Sequence, residues 1–66
     1  MPARMSRADF HRDNAERAAS EARRLLAERQ ALAGRWLPWV ATELYRLSPP
    51  EFAAMVRREL ERLSDV

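Results

Sequence analysis

The sequence predicts an all-α fold, a long kinked helix followed by a short C-terminal helix, together forming a helical hairpin. Three observations carry this expectation. Apolar residues recur three and four apart along most of the chain, the spacing that places side chains on one helix face. Glycine occurs once and cysteine not at all in 66 residues. The strongest helix-start signal, Ser48-Pro49-Pro50-Glu51, stands late in the chain, with Ser48 suited to cap, Pro49 to the first turn and Glu51 to reach back.

The elements follow in order. Residues 1–6 are expected to be a flexible N-terminus. Residues 7–47 hold no cluster of turn residues, and Ala15, Ala18, Ala22, Leu25, Leu26, Leu32, Ala33 and Trp36 keep helical period through them. They read as one long helix, disturbed only at 34–38, where Pro38 presses on the carbonyl of Gly34 four residues earlier. A kink is expected there, with Trp36, Leu37, Val40, Leu44 and Leu47 carrying the stripe onward, because Leu37 would be a poor N-cap for a fresh helix. The alternative is a break that folds the first helix back into a monomeric three-helix bundle. Residues 49–64 form the last helix, with Phe52, Met55, Val56, Leu60 and Leu63 on its apolar face. The whole chain, 1–66, reads as one domain.

A chain this short buries only ~60% of the surface its unfolded form exposes. Disulfides are excluded without cysteine, and a structural metal is not expected where His11 is the single histidine. No cofactor is expected. Oligomerisation is the remaining way to stabilise the fold. In a hairpin turning at Ser48, the last helix would reach back only to about residues 31–33 at ~1.5 Å per residue. Residues 10–26 would then show water an apolar stripe. A homodimer is therefore expected, paired through Phe10, Ala15, Ala18, Ala22, Leu25, Leu26 and Arg29 into a four-helix arrangement. Arg29, in the middle of that stripe, is expected to pack its stem and extend its head to water, or to pair with an acid of another chain. Glu59 falls within the last helix's apolar face, opposite the region of Leu37, so that any pairing with Arg29 would have to cross between subunits.

The aromatic group around the kink is the candidate for recognition. Trp36 falls on the core face, whereas Trp39 and Tyr45 leave its flanks beside Arg35 and Arg46. Large amphipathic side chains next to arginine are the composition of binding hot spots; the alternative is that both aromatics seal the core edge. Asp13, Arg17, Glu21, Arg24 and Glu28 form a ladder that reads as a solvated face.

Other classes of function are disfavoured. All twelve basic residues are arginine and the net charge is +2, too little to mark a nucleic-acid binder. A helix-turn-helix DNA-binding regulator is the rival class, but its recognition helix would begin Pro49-Pro50-Glu51, without donors for bases or phosphates. No enzyme is expected. The neighbours of His11 lie one and two positions away, where they do not face it, and Gly34 stands alone rather than in a phosphate loop. No apolar run approaches the ~18 residues of a membrane span, and MPARMSRADF lacks the apolar core of a signal peptide, so a cytoplasmic setting is expected.

In layout, an Arg-rich chain of this length with an Ala-lined long helix, the Arg35-Trp36-Leu37-Pro38-Trp39 hinge and a short Ser-Pro-Pro-Glu helix resembles small phage-encoded helical proteins that disable bacterial regulators. The quorum-sensing anti-activators of Pseudomonas phages are of this kind, and some also block a pilus motor ATPase. The resemblance implies a stoichiometric inhibitor, a helical dimer that occupies the surface of a bacterial transcriptional regulator in the host cytoplasm without turnover. It assigns no individual residues. A host adaptor or small bundle protein is the alternative within the same class.

Overall fold

The computed structural model describes residues 6–64. They are all-α, a long bent helix and a short C-terminal helix that packs against its first arm. The first arm, α1, spans Arg7–Ala27. Its start is a capping box that the sequence reading passed over: the Asp9 amide donates to Ser6 Oγ at 3.1 Å, and the Ser6 amide donates to Asp9 Oδ2 at 3.4 Å. Two amides that a helix start leaves without partners are satisfied by this exchange. A single turn, α2 (Arg29–Leu32), continues beyond Glu28, whose amide donates to the carbonyls of Leu25 and Leu26.

The bend differs from the expected one in place and in cause. It is centred at Ala33, whose φ of 49° and ψ of −119° abandon the helix. A 3-10 turn, Ala33–Arg35, leads into the second arm, α3 (Trp36–Arg46). Pro38 therefore lies in the first turn of α3, where an amide would have no helical partner and its absence costs nothing. It is a helix-start residue here rather than a kink in mid-helix.

Because the chain turns at Ala33, α3 doubles back beside the end of α1. Trp36 Nε1 donates to the Leu25 carbonyl at 2.8 Å, and Arg24 Nη2 meets Glu43 Oε1 at 3.3 Å. A second turn at 47–49 then sends α4 (Pro50–Ser64) along α1 in the same direction. At one end Glu51 shares a groove with Ser6, Arg7 and Phe10; at the other Leu63 and Ser64 lie with Leu26 and Gln30. The start of α4 is one residue later than expected, with the Pro49 carbonyl accepting from the amides of Phe52 and Ala53.

The core lies where these arms meet. Ala18, Ala22 and Leu25 of α1, Trp36 and Val40 of α3, and Phe52, Met55, Val56 and Leu60 of α4 are buried, with Leu25 and Val56 fully enclosed. The alanines have no bulk to hold α4 away, and α4 packs along α1 at this stretch. The expectation that α4 stops short at residues 31–33 and leaves 10–26 bare is thus overturned. The chain covers most of its own stripe, with Ala15 left exposed.

Candidate protein-binding surface

Folding back fixes what α3 can show. Its inward face is Trp36 and Val40, with Trp39, Leu44 and Leu47 half-buried against the same core. Side chains four apart lie in a row along a helix. The row Leu37, Ala41, Tyr45 is the one turned outward, and all three residues are exposed. Leu37 is 71% and Tyr45 90% accessible, the large apolar side chains most open to water among the described residues. Arg35 and Arg46 stand exposed at the two ends of this row. Arg46 Nη1 lies 3.8 Å from Glu43 Oε2, and the Thr42 hydroxyl donates to the Pro38 carbonyl at 3.1 Å.

Of the residues singled out for recognition, Arg35, Tyr45 and Arg46 are therefore available at the surface. Trp39 is not comparably free, because it packs against the core and seals its edge. Leu37 was missed, having been assigned to the core face. At ~100° per residue Leu37 and half-buried Leu44 fall within ~20° of each other on α3, so spacing alone does not separate the exposed one from the packed one.

The residues expected to pair two copies are placed differently. Ala18, Ala22 and Leu25 are buried under α4 of their own chain and have no surface to offer a second copy in this arrangement. Phe10 and Leu26 are half-buried against the same core, whereas Ala15 and Arg29 are exposed. The Arg29 guanidinium lies over the Trp36 ring, 5.4 Å from its centroid, so its stem packs and its charge stays in water, in keeping with the first of the two expectations for it. Arg17 makes the same contact with Phe52 at 4.9 Å. Glu59 faces His11, Ala15 and Ala18 across a shallow groove rather than the region of Leu37. Its partner is Arg62 on its own helix, with Arg62 Nε donating at 3.1 Å. That hydrogen bond is the main reason its carboxyl is held below the ordinary value.

The charge ladder of α1 is only partly realised. Arg24 takes Glu21 on its own helix and Glu43 on α3, and the Glu21 hydrogen bond contributes most to raising its pKa. Arg12 binds Asp9 and lies 3.7 Å from Asp13, while Arg17 donates to Asn14. The cross-helix link to Glu43 was beyond a pattern read along one helix. Among the described residues, no three His, Asp or Glu side chains converge as metal ligands do, and no helix is long and apolar enough to cross a membrane. No protein-family model matches the sequence, and comparison with characterised proteins and with solved structures likewise returns no match.

Proposed function

We propose that this chain is a non-enzymatic binding protein that engages another protein through the outward row of α3. The observation that carries the reading is the exposure of Leu37 and Tyr45 on one side of that helix, with Arg35 and Arg46 at its ends. A leucine and a tyrosine held out in water are unfavourable for the isolated chain, and covering them is the gain that association supplies. The arginines suit the rim of such a contact, since their planar heads bind carboxylates and stack on rings. The layout resemblance extends the proposal to the kind of partner, a bacterial regulatory protein held inactive by occupancy.

Photocrosslinking tests this. A photoreactive phenylalanine at position 45, introduced in cells, is expected to give a discrete protein adduct that is lost when Leu37→Ala is added. The same group at position 61, on the exposed side of α4, is expected to give none. Equal labelling from both positions would reject the assignment.

A further inference from the structure

We propose that two copies of this chain exchange their first helices, each α1 stripe of Ala18, Ala22 and Leu25 being covered by the partner copy's α4 instead of its own. The inference rests on the connector between α1 and the rest of the chain. Residues 28–35 contain no fully buried side chain, Leu32 being half-buried against the core and Arg29 lying over the Trp36 ring, so opening them uncovers little. Every contact that holds α1 (the core packing with α4, the Trp36 to Leu25 hydrogen bond and the Arg24–Glu43 pair) joins it to residues beyond the connector. All of these re-form between chains when two opened copies meet, so that at a given protein concentration the balance is set chiefly at the hinge.

At the hinge two residues oppose each other. Ala33 in the closed chain sits at φ 49°, ψ −119°, a region where its Cβ is strained and which glycine alone adopts freely. Opening releases it into ordinary helix, and the helical period of the sequence runs through this point without interruption: Leu25, Leu26, Leu32, Ala33 and Trp36 keep one stripe. Ala33 therefore favours the open, exchanged form. Pro38 favours the closed one. In the closed chain it occupies the first turn of α3, whereas in a continuous helix its ring meets the Gly34 carbonyl and removes one hydrogen bond. Short strained hinges of this kind promote exchange.

The two residues give variants with opposite outcomes, and both side chains are exposed and outside the α1–α4 contact. Ala33→Gly relaxes the closed hinge and weakens the open helix, and is expected to raise the dimer dissociation constant by roughly tenfold or more, a dimer having two hinges. Pro38→Ala is expected to lower it by a comparable factor, restoring a helical bond in each open chain. Sedimentation equilibrium of wild type and both variants over a common dilution series measures the order. Isotope-filtered NOEs in a sample mixed from labelled and unlabelled chains identify the contact, since the exchanged dimer places α1 signals of one copy against α4 of the other. Wild type between the two variants, with interchain α1–α4 NOEs in the dimer, supports exchange. Three proteins that sediment alike, or the reverse order, would overturn it. So would a dimer without those NOEs; loss of such a dimer in Tyr45→Ala would show that the α3 row had paired instead.

Discussion

The indole of Trp36 donates through Nε1 to the carbonyl of Leu25 at 2.8 Å, joining the first residue of α3 to the last turn of α1. The Leu25 carbonyl already accepts from the Glu28 amide at 3.2 Å, and a side chain eleven positions later supplies a second donor inside the core. Trp36→Phe keeps most of the ring and removes the donor. It is expected to cost about 0.5–1.5 kcal/mol, the net worth of one hydrogen bond, since the Glu28 amide still pairs the carbonyl, measured by urea unfolding. A cost within a few tenths of zero would mean that water replaces the indole.

At the turn, the positions of alanine and glycine are the reverse of what the backbone asks for. Ala33 has the positive φ, and Gly34 does not. Ala33→Gly should therefore stabilise the monomer, by about 1 kcal/mol, through relief of backbone strain. A Cβ added at Gly34 meets nothing within 4 Å, so Gly34→Ala should stabilise by about 0.4–1 kcal/mol through the unfolded chain. Thermal unfolding of the dilute proteins measures both, and a lower Tm for Ala33→Gly would contradict the turn geometry.

Arg24 and Glu43 form the ion pair that ties α3 to α1, with side chains 52% and 19% accessible. Exposure of the arginine limits its worth. A double-mutant cycle with Arg24→Gln and Glu43→Gln should give a coupling of about 0.2–1 kcal/mol that shrinks as salt is added. Coupling of zero at low salt would indicate that Arg24 spends its time on Glu21.

Two partly exposed carboxylates tie stability to acid. Asp9 is held below its ordinary value of 3.8, chiefly by the Arg12 hydrogen bond and then by the capping contacts with Ser6. Glu59 is held below 4.5 by Arg62. Groups depressed in the folded state contribute stability that is fully present above their unfolded values and is lost as pH falls through the folded ones. Both contributions are thus intact at neutral pH and disappear below about pH 4. NMR titration should show the Asp9 amide leaving its Ser6 contact in that window, and Asp9→Asn should remove the step.

Much of the fold was legible in residue spacing. The five apolar positions of the last helix, Phe52, Met55, Val56, Leu60 and Leu63, all face the core, because a short helix with one partner face cannot hide its period. The turn was not legible, for a physical reason: an alanine adopts the conformation for which glycine would have been the signal, and the stripe keeps its period across it. From that one displacement followed the expectation of a bare α1, whereas Leu37 was misplaced because it shares its side of α3 with half-buried Leu44. The capping box at Ser6 and Asp9, by contrast, was readable from the three-residue spacing. Tyr45 is exposed and Trp39 packs on the core edge, two placements between which the sequence left the choice open, because an amphipathic ring at a core edge looks alike whether it closes the core or meets a partner.

The folded-back arrangement is tested most directly by solvent exchange of the Trp36 indole N–H in dilute solution, read by NMR together with its NOEs to Leu25. In a continuous helix the two residues would stand ~16 Å apart, eleven steps of ~1.5 Å, and the indole could not reach the carbonyl. The expected result in a monomer is an indole proton protected well beyond a free tryptophan, with direct NOEs to Leu25. A monomeric chain whose Trp36 indole exchanges as freely as that of an unfolded peptide would contradict the turn at Ala33, the covering of α1 by α4, and the outward placement of Leu37 that depends on both.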